Sequence, residues 1–199
     1  MVDTLVKAAR QAPNPVVNAP KPTRLPQLRD DQVGPPELVA AIRARRGGQL
    51  LELDRLLLHS PAFATGWGEL MGRVRTAMTV PPLWRELAMC GVAALTGAEY
   101  EMHHHAPLLL QAGGSQAQIA ALHRLGDDLC AATDPAFDAE QQAVLALTLA
   151  MTRQVQVDDA TFETARSVLG SDQAMFELVG IIASYNMVAR ILVALQLRP

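Results

Sequence analysis

Apolar residues recur along most of the chain at the three- and four-residue spacing of amphipathic helices, and alternation with a period of two is brief. Proline pairs and Ser or Asp residues mark helix starts, and glycines mark helix ends. This pattern predicts an all-α fold of about nine helices, at positions 35–46, 49–58, 61–78, 81–96, 98–112, 115–125, 138–154, 158–170 and 171–197.

The amino-terminal region differs from the rest of the chain because prolines interrupt every helical period. Seven of the 13 prolines lie within positions 1–36, and proline breaks a helix interior. We therefore predict a Pro-rich tail or arm at 1–33, extended or draped over a neighbouring subunit, and a helical domain at 34–199. Within the tail, the run from Val2 to Ala9 has the spacing of a short amphipathic turn.

Composition and charge exclude several classes of protein. Half of the residues are apolar, which excludes a wholly disordered chain, and two cysteines are too few for a disulfide scaffold. The net charge of −3 gives no basic excess for nucleic-acid binding.

The longest apolar stretch, 178–197, contains Arg190 near its centre, so we interpret it as a buried helix rather than a membrane span. Free thiols and no evident signal peptide predict a cytoplasmic protein.

The segment from Gly97 to Pro107 concentrates the ionisable groups. On a helix, Glu101 and His105 are one turn apart and can hydrogen-bond, and Glu99 and His103 form a second such pair. A carboxylate that orients an imidazole makes a competent general base. We therefore expect a hydrogen bond between Glu101 and His105.

Two other interpretations of this segment stay open. Three consecutive histidines also occur on solvated helix faces. Their side chains point in three directions, so one helix cannot bring them to one ion, and a metal site using His103 or His105 would need ligands from another subunit. Glu86, on the preceding helix, either faces this cluster or only complements its own helix dipole.

The order of these residues resembles the carboxymuconolactone decarboxylase family, whose superfamily includes the alkyl hydroperoxidase D proteins. The resemblance is carried by Arg85-Glu86-Leu87, Glu99-Tyr100-Glu101, His105 and Ala112-Gly113. A weaker later match consists of the helix start at positions 138–140, together with Tyr185 and Arg190 in the last helix. The whole resemblance covers about positions 35–198 and leaves the tail outside.

The resemblance implies the helical fold of that superfamily, assembled as a homo-oligomeric trimer or hexamer. In the peroxidase members a Cys-x-x-Cys pair precedes the histidine, and here those two positions hold Ala98 and Glu101. Disulfide-cycling peroxidase chemistry needs two nearby thiols, so we do not expect it. By position, the family glutamate and histidine correspond to Glu86 and His105.

The decarboxylase members imply an enzyme that needs no metal or organic cofactor and transfers protons or releases carbon dioxide from a small carboxylated or lactone-like molecule. The expected catalytic residues are Glu86, Glu101 and His105. The expected substrate-binding residues are Glu99, Tyr100, Arg85, Tyr185 and Arg190. The alternatives are a non-enzymatic helical oligomer that binds a ligand or partner, and a metalloenzyme that uses His103 and His105.

Overall fold

The computed structural model describes residues 22–199, so the predicted turn at Val2 to Ala9 and most of the Pro-rich tail lie outside the described residues. The described part of the tail, 22–33, contains no helix and lies against the helical body. The Arg24 amide donates to the Leu195 carbonyl at 2.9 Å, and the Arg55 guanidinium bonds Asp30 at 2.8 Å. The predicted division into a tail and a domain stays a prediction.

Between residues 22 and 199 the chain forms nine α-helices and no strand, which confirms the predicted all-α class. A 3₁₀ turn, Leu129–Thr133, precedes α7, and a π-helical turn, Ala150–Gln154, extends it. The helices are α1 (Pro36–Arg45), α2 (Glu52–Leu57), α3 (Pro61–Thr76), α4 (Pro82–Thr96), α5 (Glu99–Gln111), α6 (Gln116–Leu125), α7 (Ala139–Leu149), α8 (Asp159–Leu169) and α9 (Asp172–Leu195).

The helix ends follow from local chemistry. Side-chain oxygens cap the amide groups at five helix starts, and prolines occupy the first turn of α1, α3 and α4. Gly97 separates α4 from α5 with φ at 69°, a left-handed conformation that glycine adopts without strain. This turn joins α4 and α5 into the hairpin that the site requires. The capping residues are Ser60, Ser115, Asp138, Asp158 and Ser171.

Helix α4 lies at the centre of the domain and packs against α5, α6, α7 and α9. Every residue from Glu86 to Ala93 is buried, so α4 has no solvent-facing side over that length. Its crossing with α7 is close at Gly91, where a Cβ atom would lie 3.2 Å from Thr148 Cγ2 and 3.3 Å from Leu145 Cδ2. A small residue at 91 therefore sets the distance between these helices.

Helix α9 is long and apolar enough to cross a membrane, judged by length and composition alone. Half of its apolar window is buried inside the fold. This burial is what a core helix of a water-soluble domain shows, and it agrees with the interpretation of the 178–197 stretch.

We predict that Gly91→Val destabilises the protein by about 1–3 kcal/mol, because the added isopropyl group overpacks the crossing of α4 and α7. The matched control is Gly66→Ala in α3, where a Cβ meets nothing within 4 Å. That change should raise stability by about 0.5–1 kcal/mol through helix propensity. Chemical denaturation measures both variants, and equal stabilities for Gly91→Val and wild type would contradict the close crossing.

Candidate functional site

A small pocket lies between α5 and α9, closed by α3 and by the turn between α1 and α2. Its volume is about 170 Å³. We call it the α5–α9 pocket. It brings together residues from four parts of the chain: Arg46, Leu51, Leu53, Arg75, Tyr100, Glu101, His104, His105, Leu108, Tyr185, Val188 and Leu192.

Four polar side chains form a continuous hydrogen-bonded chain along one wall of this pocket. Nδ1 of His105 lies 2.7 Å from Oε2 of Glu86, and Nε2 of His105 lies 3.1 Å from the Tyr185 hydroxyl. The Arg75 Nε group donates to the same hydroxyl at 3.2 Å. This series of hydrogen bonds therefore connects α3, α9, α5 and α4.

The donors in this chain can be ordered from one end. A carboxylate only accepts, so Nδ1 of His105 donates its hydrogen to Glu86. In the neutral ring Nε2 then carries no hydrogen, so it accepts from the Tyr185 hydroxyl. The Tyr185 oxygen in turn accepts from Nε of Arg75, which only donates. The tautomer follows from the network rather than from observed hydrogens.

Glu101 lines the same pocket but takes no part in the chain. Glu101 is 2% exposed, and neither of its carboxyl oxygens has a hydrogen-bond partner within the described part of the protein. Burial raises the pKa of Glu101 well above its usual value, and the nearby Arg75 charge only partly opposes this. Burial without a hydrogen-bond partner therefore favours the neutral, protonated form of this side chain.

The expected hydrogen bond between Glu101 and His105 is wrong. The two residues are one turn apart on α5, but the His105 ring pairs with Glu86 of α4 instead. A charged carboxylate is a stronger acceptor than a neutral acid, which accounts for this choice. The second expected pair also does not form: Glu99 and His103 are both exposed, and no hydrogen bond joins them.

The remaining predicted binding residues are distributed unevenly. Tyr100 and Tyr185 line the pocket, and the Tyr100 hydroxyl donates to Oε2 of Glu52 at 3.1 Å. Burial raises the pKa of Tyr185 to about 12 despite the opposing charge of Arg75, so the residue stays a phenol. Arg85 does not line the pocket; its Nε lies 3.8 Å from Oε1 of Glu86.

The cation predicted from Arg190 comes instead from Arg75. Arg190 is exposed, and its guanidinium bonds the Asn186 carbonyl and Oδ1 at 2.9 and 2.8 Å, away from the pocket. Arg75 lines the pocket and forms no salt bridge within residues 22–199. The role of Arg75 could not be predicted from the sequence, because the residue lies in α3 outside any motif. The other pocket arginine, Arg46, is neutralised by a two-bond contact with Asp54.

The two histidines of the metal hypothesis lie on different sides of α5. His105 lines the α5–α9 pocket, whereas His103 lines a separate groove between α5 and α6. One chain therefore cannot bring both to one ion. In the described residues, no group of three His, Cys, Asp or Glu side chains is arranged to hold a metal.

Neither cysteine lies in the pocket wall, and the two do not pair. Cys90 is buried and Cys130 is exposed. Burial raises the pKa of the Cys90 thiol, and the neighbouring carboxylate of Glu86 raises it further. A protonated, enclosed thiol is a poor nucleophile.

A known family matches the central part of the chain, which contains α3, α4, α5, α6 and most of α7. Residues 61–148 match the family model described as the carboxymuconolactone decarboxylase family. No curated protein matches the sequence.

Solved structures extend the likeness beyond the matched segment and show the alkyl hydroperoxidase D-like fold. An uncharacterized peroxidase-related protein from Silicibacter sp. TM1040 is 19% identical, with a TM-score of 0.72 over 92% of this chain and 95% of that one. A second such protein, from Ralstonia eutropha JMP134 and described as an alkylhydroperoxidase AhpD core, is 16% identical, with a TM-score of 0.73 over 91% and 94%.

A protein of unknown function from Agrobacterium tumefaciens is 19% identical, with a TM-score of 0.61 over 71% of this chain and 93% of that one. At these identities the structural likeness concerns the fold alone. Residue roles in this chain therefore depend on its own geometry.

The buried acid predicts a pH dependence of stability. The folded pKa of Glu101 lies above the unfolded value, so the folded state binds more protons and wild type loses stability as pH rises above about 4.5. Between the unfolded and the folded pKa of Glu101, this loss of stability is at most about 1.4 kcal/mol per pH unit.

Glu101→Gln removes this loss, so thermal denaturation should show its stability advantage over wild type growing with pH. Glu69→Gln, at an exposed position of α3, is the matched control and should follow wild type. Parallel curves for wild type and Glu101→Gln would contradict a neutral Glu101.

Proposed function

We propose that this protein is an enzyme that transfers protons to or releases carbon dioxide from a small carboxylated or lactone-like molecule bound in the α5–α9 pocket. One observation carries the proposal. Within residues 22–199, Glu101 is a buried carboxylic acid without a hydrogen-bond partner, and it shares a small pocket with an anchored histidine and an arginine that has no carboxylate partner. The match of residues 61–148 to the carboxymuconolactone decarboxylase family model supports the same reaction class.

Arg75 supplies the charge that a carboxylated substrate needs. Its guanidinium uses Nε for Tyr185 and has no carboxylate partner in residues 22–199. Neutral Glu101 adds no repulsion. The pocket thus has one uncompensated positive charge beside a neutral acid, which favours an anion of a few heavy atoms.

Decarboxylation breaks the bond between the substrate carbon and its carboxylate, and the electron pair stays on the carbon as carbon dioxide leaves. The Arg75 guanidinium stabilises the negative charge that develops nearby. Glu101 then donates its proton to that carbon and becomes a carboxylate, which solvent reprotonates before the next turnover. General-acid catalysis of this kind contributes about 10²–10⁴-fold to rates.

His105 is the proton acceptor of the site. The hydrogen bond from Nδ1 to Glu86 fixes the ring, so Nε2 faces the Tyr185 hydroxyl and can take its proton. When a proton leaves the substrate, the Tyr185 oxygen takes it and passes its own hydrogen to Nε2 of His105. The Glu86 carboxylate stabilises the imidazolium that forms.

Disulfide-cycling peroxidase activity is not the function we propose, although two similar structures are described as peroxidase-related. The α5–α9 pocket contains no thiol, and the thiol nearest its carboxyl groups, Cys90, is enclosed and protonated. No second cysteine is available beside it to form a disulfide.

We expect the purified protein to decarboxylate, or to exchange a proton α to a carbonyl in, members of a panel of small carboxylated lactones and 3-oxo acids. Proton NMR in D₂O detects both outcomes as deuterium in the product. His105→Gln should lower turnover at least about 100-fold, because glutamine keeps a donor for Glu86 but cannot accept and hold a proton.

Glu101→Gln should lose turnover similarly, whereas Glu69→Gln should retain it. The thermal midpoint of His105→Gln should stay near that of wild type. Full activity in His105→Gln, or no binding and no turnover of any panel member by wild type, would contradict the proposal.

Arg75→Gln tests the anion site separately from the chemistry. We expect KM for a carboxylated substrate to rise about tenfold or more, because one charge-assisted contact is lost. The corresponding methyl ester, which lacks the anionic charge, should bind wild type and variant equally. An equal rise in KM for acid and ester would show that Arg75 only holds the pocket wall.

A further inference from the structure

The lining of the α5–α9 pocket changes from polar to apolar along helix α9. Tyr185, Val188 and Leu192 all line the pocket, and at this spacing they share one face of the helix. The Tyr185 hydroxyl accepts a hydrogen bond from Arg75 and lies against His105, so this end of the pocket is polar. Val188 and Leu192 follow one and two turns further on, with Leu192 about 10 Å along the helix axis. The pocket therefore has a polar end and an apolar end.

Other carbon-rich side chains add to the apolar lining. Leu51 and Leu53, at the start of α2, line the same pocket, and Leu53 is buried. Tyr100 contributes its ring, because its hydroxyl is occupied by a hydrogen bond to Glu52. An aliphatic group enclosed by these side chains gains the free energy of apolar burial, about fourfold in affinity for each methylene.

Only one of the two arginines that line the pocket is available to an anion. Nε and Nη2 of Arg46 each donate to one carboxylate oxygen of Asp54 at 3.2 Å. Asp54 is 1% exposed and also accepts from the Leu51 amide, so the position of this ion pair is fixed. Arg75 has no such partner, since it forms no salt bridge within residues 22–199.

The other ionisable groups of the lining do not add a second positive charge for a ligand. Burial lowers the pKa of His104 below its usual value, which favours the neutral ring at pH 7. His105 already has a partner at each nitrogen, and burial favours the neutral form of Glu101. The pocket can therefore compensate the charge of one carboxylate, which binds at Arg75.

The size of the pocket limits the rest of the ligand. Its volume of about 170 Å³ is about six times the roughly 30 Å³ that a water molecule occupies in the liquid. A carbon or oxygen atom with its hydrogens needs a similar space, so the pocket holds about six non-hydrogen atoms. A carboxylate accounts for three atoms, which leaves room for a tail of about three carbons.

We propose that the α5–α9 pocket selects monocarboxylates with a short aliphatic tail and rejects dicarboxylates, and that Asp54 sets this selectivity. The carboxylate binds at Arg75, and the tail lies along Val188 and Leu192. A second carboxylate would lie among apolar side chains or beside Arg46, whose charge Asp54 already compensates.

This inference rests on the anion site of the proposed function and not on its chemistry. Among the molecules suited to the proposed reaction, it favours short 3-oxo acids that carry a single carboxylate.

Unreactive saturated carboxylates test the selectivity without any turnover. NMR chemical-shift titrations of nitrogen-15-labelled wild type give Kd for acetate, butyrate, octanoate and succinate. We expect butyrate to bind at least about tenfold more tightly than acetate, because two methylenes are added. Octanoate exceeds the volume of the pocket and should bind no more tightly than butyrate. Succinate has the four carbons of butyrate and a second carboxylate, and it should bind at least about tenfold more weakly than butyrate.

Asp54→Asn tests the residue that sets the selectivity. Asparagine keeps an acceptor for the Leu51 amide but leaves the charge of Arg46 uncompensated, so the preference for butyrate over succinate should fall about tenfold. Asp134→Asn is the matched control, because Asp134 also accepts from an arginine, Arg124, and from one backbone amide, and it lies outside the pocket lining. The control should keep the preference of wild type.

Leu51→Lys tests the same point without disturbing the buried ion pair. Leu51 is half-buried, and a lysine there adds the missing cation at the apolar side of the pocket. This variant should also bind succinate more tightly, about tenfold, relative to butyrate.

Equal affinities of wild type for butyrate and succinate, or for acetate and butyrate, would overturn the inference and leave the proposed reaction intact. An unchanged preference in both Asp54→Asn and Leu51→Lys would overturn the role of Asp54. Wild type that binds none of these carboxylates would show that Arg75 is not an anion site, and this result would contradict the proposed function as well.

Discussion

The hydrogen bond between His105 and Glu86 is the interaction on which the candidate site depends. It crosses from α5 to the buried centre of α4 and fixes the imidazole ring against rotation. Because Glu86 takes the Nδ1 hydrogen, Nε2 is left to accept from Tyr185, and Arg75 completes the sequence of donors. Each donor in this series has one acceptor, so the network has one arrangement rather than several.

This constraint explains why Glu101 stands apart. Both nitrogens of the nearby imidazole already have partners, so the carboxyl group has no hydrogen-bond partner within residues 22–199, and its burial favours the protonated form. An unpartnered buried acid destabilises the fold, and such groups are concentrated at functional sites. Helix α5 separates two environments, because its opposite face, at Met102 and Ala106, lines the separate groove between α5 and α6.

Much of the fold could be predicted from the sequence because its signals are local. The helix starting at Pro82 and the stop at Gly97 depend on backbone chemistry within a few residues, and all nine predicted helices have a counterpart in residues 22–199. The prediction at 49–58 was too long, since α2 begins only at Glu52, where Leu51 is still extended. The family resemblance was equally readable, because its residues lie in one continuous segment.

The site itself was only partly predictable. The spacing of one turn places Glu101 and His105 at the same pocket, but it could not choose between two acceptors for the imidazole, and Glu86 is selected by tertiary packing. Arg75 gave no signal because its role depends on a contact with a residue 110 positions away. Arg190 had the expected type and helix, yet its guanidinium turns back to its own helix.

The tautomer of His105 tests the central claim most directly. Nitrogen-15 NMR of the imidazole rings, with the His105 signals assigned by their loss in His105→Gln, distinguishes a ring protonated at Nδ1 from one protonated at Nε2. The account predicts that the neutral His105 ring carries its hydrogen on Nδ1, held by Glu86, and that Tyr185→Phe weakens this preference. A neutral ring that carries its hydrogen on Nε2 in the wild-type protein would contradict the ordered chain and the proton relay built on it.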